Sequence, residues 1–166
     1  MSDCQTIRYD SPCGPIELQV RRGKLAAAAL CRTRSAAGES RANGAGTGRF
    51  AQALARYFAG REVGLARSAM DLAEVGPFRR RVYEALMQVP FGQVVTYGRL
   101  AGRIGRPRAA RAVGQAVGRN PLPLFIPCHR VVAAGNRLGG FGAGLRWKAA
   151  LLRHEGWTVK DGRIYR

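Results

Sequence analysis

Polar and apolar residues alternate over 5–10 and again through Ile16-Glu17-Leu18-Gln19-Val20. That period of two predicts strands with one buried face. Turn residues separate the two runs: Ser11-Pro12-Cys13-Gly14-Pro15 closes the first, and Arg21-Arg22-Gly23-Lys24 follows the second. A run of small apolar residues over 25–31 predicts a third strand. Residues 33–48 are rich in Gly, Ala, Ser and Thr and predict a flexible loop. Phe50, Leu54, Tyr57 and Phe58 then recur at helical spacing, with Gly60 as the stop. Residues 70–75 predict one more strand. This half reads as a small α/β unit with no chemistry of its own.

From Pro77 the period becomes helical. Phe78, Val82, Ala85 and Leu86 mark one apolar face, and Pro90-Phe91-Gly92 ends that helix. Thr96 can cap a second helix containing Tyr97, Leu100, Ala101 and Ile104. Gly105-Arg106-Pro107 breaks the chain, and a third helix is predicted from about 108 to 119, stopping at Asn120-Pro121. Two short helices joined by a glycine turn fit a helix-turn-helix. Residues 122–126 form an apolar, strand-like run broken by Pro123, and 138–144 form a glycine-rich loop. Trp147, Leu151 and Leu152 pattern a last helix that carries Glu155 near its end and stops at Gly156. The tail has an Asp161-Gly162 turn and predicts a short hairpin.

Composition adds a packed core and a strong charge. The chain has 166 residues, 46% of them hydrophobic and 23% charged, with a net charge of +18. Residues 1–77 hold 11 basic and 7 acidic side chains, and 78–166 hold 17 and 3. Compositional bias accounts for the preference for Arg over Lys but not for this asymmetry. A polyanionic partner, most simply nucleic acid, follows from it. Cys4, Cys13, Cys31 and Cys128 make no C-x-x-C pair and there are only two histidines, so no zinc site is expected. With no signal peptide and no apolar run near the length of a membrane span, a reducing cytoplasm is the expected location. No catalytic role is expected for Cys4, Cys13 or Cys31.

Two segments carry candidate chemistry. Ile126-Pro127-Cys128-His129-Arg130-Val131 sets a thiol beside an imidazole, one of the few groups able to take its proton near neutral pH. The other histidine, His154, precedes Glu155. The third helix is slim: Ala109, Ala110, Ala112, Gly114, Ala116 and Gly118 give it little bulk, while Arg106, Arg108, Arg111 and Arg119 fringe it. Small residues serve close helix packing; a slim, Arg-fringed helix also suits a narrow DNA groove.

These segments together resemble the O6-alkylguanine-DNA alkyltransferases. The similarity covers the Ile126–Val131 motif, 78–86, Thr96-Tyr97-Gly98, 108–114, Asn120-Pro121, the 139–144 loop and 151–156, with weaker likeness at Ser11-Pro12, 57–60 and 70–72. The resemblance implies a ribonuclease-H-like α/β domain over 1–74 and a mainly helical, winged helix-turn-helix domain over 75–166. It implies single-turnover transfer of an alkyl group from guanine O6 to Cys128, with His129 as base, Glu155 orienting it and Asn120 bracing the turn. Arg111 would fill the vacated base stack and Tyr97 would rotate the nucleotide out of the duplex. Ala110, Gly114, Arg108 and Arg119 would also meet DNA in the minor groove. Tyr97, Pro123, Val131, Phe141 and Gly142 would line the base pocket. The implied partner is double-stranded DNA carrying O6-alkylguanine, with O4-alkylthymine a further substrate; no cofactor, metal or membrane is implied, and the protein is expected to be a monomer. Tyr83 stands where the family usually has Trp, and Phe141 where many members have Tyr. A lesion-flagging relative, a helix-turn-helix transcription factor and a cysteine hydrolase fit less well. The first lacks the acceptor cysteine, the second leaves Cys128, His129 and Glu155 without a role, and the third leaves the charge and the helix pair incidental.

Overall fold

The computed structural model describes residues 4–31 and 48–166. The loop expected at 33–48 lies outside these, apart from Gly48, which opens a helix. The chain divides into two compact units, Met1–Glu74 and Val75–Arg166.

In the first unit, strands β1 (Cys4–Ser11), β2 (Gly14–Arg21) and β3 (Lys24–Leu30) form an antiparallel meander. Alternation in β2 turns Ile16, Leu18 and Val20 into the core. Helix α1 (Gly48–Phe58) buries Phe50, Ala53, Leu54 and Tyr57 along one stripe, the i, i+3, i+4, i+7 pattern. Burial of Phe50 and of Leu54 each stabilises the unit by roughly 1.5–3 kcal/mol. The strand expected over 70–75 does not form. Met70 makes one bridge to Leu25, and Asp71 then accepts from the Ala73 amide at 3.5 Å, so the side chain turns the backbone away after a single pairing.

The second unit is mainly helical. Helix α2 (Pro77–Met87) starts on a proline, which has no amide to leave unsatisfied at that position. It buries Val82, Tyr83 and Leu86, whereas Phe78, expected on the apolar face, is 37% exposed because it sits in the first turn, at the end of the stripe. Strand β4 (Val95–Thr96) runs into α3 (Tyr97–Arg103), whose cap is Thr96: the hydroxyl accepts from the Arg99 amide at 3.2 Å. The helix ends in paired bonds, Gly105 N–H to Gly102 O and Arg106 N–H to Ala101 O, which satisfy its last carbonyls. Helix α4 (Ala110–Gly118) is shorter than predicted and packs against α2 and α3 through Val113, Ala116 and Val117.

Residues 122–126 are not a strand. Leu124 adopts φ 75° and Ile126 N–H returns to Leu122 O at 2.8 Å, so Pro123 and its neighbour curl the run into a buried turn. Strand β5 (Val131–Val132) pairs in parallel with β4 and so ties the motif after Cys128 to the start of α3. Helix α5 (Leu145–His154) follows, and β6 (Thr158–Lys160) and β7 (Arg163–Tyr165) make the terminal hairpin. Val132, Leu138, Leu152 and Ile164 form a core beneath that hairpin. No helix among the described residues is long and apolar enough to cross a membrane.

Candidate active site

The site grows from the turn around Pro127. Its backbone (φ −76°, ψ 65°) is an inverse γ-turn, closed by Cys128 N–H donating to Ile126 O at 2.7 Å. Asn120 fixes this turn: its amide nitrogen donates to Ile126 O at 2.7 Å, and its oxygen accepts from the Leu122 amide at 2.9 Å. Cys128–Arg130 then form one 3-10 turn, which holds Cys128, His129 and Arg130 inside the unit. Cys128 is 5% exposed. Burial pushes its thiol up to about 11, against the opposing pull of the Asn120 hydrogen bond, the Lys148 charge and nearby backbone amides. The resting group is therefore a thiol that needs a base.

His129 is fully buried, and its Nε2 lies 2.7 Å from Glu155 Oε1. Burial lowers the pKa of the imidazole and the charges of Arg130 and Lys148 lower it further, although Glu155 pulls the other way. Burial alone would raise the Glu155 carboxyl. Hydrogen bonds and charge from His129 and Arg130 outweigh that and hold it at about 2. Glu155 is thus an ionised acceptor, so the proton between the two groups sits on Nε2 and the ring's basic nitrogen is Nδ1. Glu155 is positioned as the C-cap of α5, and Gly92 N–H also donates to its Oε2 at 2.9 Å. His154, the neighbour in sequence, stacks edge-on against Phe91.

Two buried cations completing the site were not singled out from the sequence. Arg130 donates from Nε to both Glu155 oxygens at 3.1 Å, lies 3.0 Å from Oε1 through Nη2, and donates from Nη1 to Val89 O at 2.6 Å. Lys148 donates to the carbonyls of Val131 (2.6 Å), Gly140 (3.1 Å) and Leu138, joining β5 to the glycine-rich loop. Burial brings its ammonium down to about 8, with Cys128 opposing. The available signal was position: Lys148 stands three and four residues before Leu151 and Leu152, on the apolar stripe of α5.

Tyr97, at the start of α3, lies over two glycines. A β-carbon at Gly139 would come within 3.2 Å of its ring and 3.3 Å of its hydroxyl, and one at Gly114 within 3.7 Å. The ring therefore bridges α4 and the 138–144 loop. Val131 is buried, Pro123 and Phe141 are half-buried, and Gly142 is exposed near Gly118 O. Arg108, Arg111 and Arg119 are exposed around α4, and Ala110 is half-buried at its first turn. The small residues of α4 serve packing at Ala116 and Gly114, while Ala112 and Gly118 stay exposed. Tyr83 donates from its hydroxyl to Ala116 O at 3.0 Å, anchoring α4 to α2.

A buried cysteine next in sequence to a buried histidine–carboxylate pair, within a basic, mainly helical unit, defines a candidate site for thiol chemistry. The family model for the 6-O-methylguanine DNA methyltransferase DNA-binding domain matches residues 77–157. The methylated-DNA–protein-cysteine methyltransferase of Salmonella typhimurium is 44% identical over 123 residues, covering 74% of this chain and 71% of the relative. The chain belongs to the methylated-DNA–protein-cysteine methyltransferase family. A Mycobacterium leprae relative of the same description is 44% identical over 112 residues, 65% of this chain and 66% of the other. Among solved structures, Mycobacterium tuberculosis OGT in complex with DNA superposes with a TM-score of 0.76 at 35% identity, covering 91% of this chain and 92% of that one. The O6-methylguanine-DNA methyltransferase of Pyrococcus kodakaraensis superposes at 0.68 with 25% identity, covering 94% and 99%.

Proposed function

We propose that this protein repairs alkylated DNA by direct reversal: the Cys128 sulfur takes the alkyl group from the O6 position of guanine. The observation that carries this reading is the buried Cys128–His129–Glu155 arrangement, with its 2.7 Å histidine–carboxylate contact, in a chain of this family. The thiol proton passes to His129 Nδ1 through a water, and Glu155 with Arg130 stabilises the resulting imidazolium. The thiolate attacks the alkyl carbon in line. A carbon–sulfur bond forms, the carbon–oxygen bond breaks, and the electron pair returns to guanine, which takes up a proton. The product is a thioether with no easy hydrolytic exit, so each molecule acts once. Asn120 holds the nucleophile's turn.

The target base must leave the duplex to reach a cysteine this buried. Exposed Arg111 at the head of α4 fills the gap in the stack, with Ala110 and Gly114 allowing close approach in the minor groove. Arg108 and Arg119 hold phosphates, and Tyr97 turns the nucleotide. Val131, Phe141, Gly142 and Pro123 line the base pocket, which also admits O4-alkylthymine. The finer architecture is ribonuclease-H-like in the first unit and winged helix-turn-helix in the second. The protein acts as a monomer in the cytoplasm, on the nucleoid. Intact mass after incubation with O6-methylguanine duplex, followed by peptide mapping, tests the central claim. One methyl group on the Cys128 peptide is expected, and the Cys128→Ser variant should bind duplex without gaining it. An unmodified Cys128 peptide, or transfer by the variant, overturns the reading.

A further inference from the structure

The terminal hairpin places like charges directly across from one another. In β6 and β7, Lys160 pairs with Arg163. On the other side, Arg137 forms a bridge with the same Arg163. Directly bridged residues share a face, so Arg137, Arg163 and Lys160 make a row of three cations, two on the hairpin strands and one on the segment bridged to β7. The opposite face carries Val159 and Ile164 into the core, so the row points outward, and all three residues are exposed. Directly opposed like charges destabilise a sheet. None of the three has a carboxylate partner among the described residues.

The row is also preorganised. Arg163 donates from Nη1 to Gly135 O at 3.1 Å, and Arg137 donates from Nε to Ala134 O at 3.3 Å, which aims both guanidinium groups while leaving other N–H donors to solvent. Tyr165 lies on the same face, on β7, and is 47% exposed although the core beneath does not use it. The face is joined through Leu138 to Gly139, which lies against Tyr97. Fixed, unpaired guanidinium groups beside an exposed aromatic ring fit a phosphate backbone.

We propose that this outer face is a second DNA-binding surface, holding duplex phosphates beyond those reached by α4. It rests on the DNA-repair reading above. Each phosphate neutralised lowers the slope of log affinity against log salt by about 0.9, so three contacts account for roughly 2–3 units of slope. The test compares wild type with Arg137→Gln/Lys160→Gln/Arg163→Gln, measuring affinity for an undamaged duplex across salt concentrations and transfer from the free base O6-benzylguanine. The expected result is tenfold or greater loss of duplex affinity, a slope reduced by about two or more, and free-base transfer within twofold of wild type. An affinity and slope equal to wild type overturn the proposal, even if relief of repulsion raises the melting temperature. If the glutamine variant loses free-base transfer, Arg137→Lys/Arg163→Lys decides: retained duplex affinity supports the charge row, and equal loss overturns it. A flat salt response in wild type would instead sink the underlying DNA reading.

Discussion

Glu155 accepts from His129, Gly92 and Arg130 at once, so its charge is shared among a base, a backbone amide and a permanent cation. Replacing it with Gln leaves the Arg130 guanidinium buried without its counter-charge. The Glu155→Gln variant should lose about 3–5 kcal/mol of stability in urea titration, the cost of breaking a buried pair. The pH dependence follows from the carboxyl pKa of about 2, below the ordinary 4.5. The group's contribution is full above 4.5 and disappears as pH falls from there towards 2, so wild type should show an acid loss in that window that the variant lacks. His129 has the opposite consequence for the reaction: because its pKa is lowered from 6.5, it remains a free base on the acid side of that value. Single-turnover transfer from a free alkylated base should therefore persist below pH 6.5, and a rate that already falls above that pH would contradict the assignment. At this level the sequence set the Cys128 thiol directly beside the His129 imidazole, while a role for Glu155 was implied only by the family resemblance. It was silent on Arg130, because an arginine in a basic chain is expected at the surface unless a buried carboxylate calls for it.

Helix α4 shows the same division one level up. Its glycines and alanines were legible, but they fit two roles: the fold packs Gly114 and Ala116 against Tyr97 and Tyr83, and leaves Ala112 and Gly118 exposed. Arg111→Ala removes an exposed side chain from the first turn of α4, so it should leave stability within about 0.5 kcal/mol of wild type. It should slow transfer from duplex DNA at least tenfold more than transfer from the free base, as measured by rapid-quench assays on both. Equal slowing would show that Arg111 does not act on base extrusion. Helix starts were readable because Pro77 and Thr96 act through their own local chemistry. The runs at 70–75 and 122–126 resemble strands in sequence because apolar content predicts burial and says nothing of pairing. Asp71 and the positive φ of Leu124 turned those backbones away from any partner strand.

Across the whole chain, 17 basic and 3 acidic residues over 78–166 predict duplex affinity that falls steeply with salt. Raising salt from 50 to 200 mM should weaken binding by a factor of ten or more, measured by fluorescence anisotropy, while free-base transfer stays nearly constant. The sequence by itself determined the periodicities, the basic half and the motif that places a thiol beside an imidazole. These are local or additive properties, carried by neighbouring residues or by simple sums. Tertiary structure alone decided that Arg130 and Lys148 would be buried, and that Arg137, Lys160 and Arg163 would share one face at the terminal hairpin. Such pairings join positions far apart along the chain. Only the folded backbone, by excluding water and fixing which carbonyls and charges lie within reach, selects one of them from the many the sequence allows.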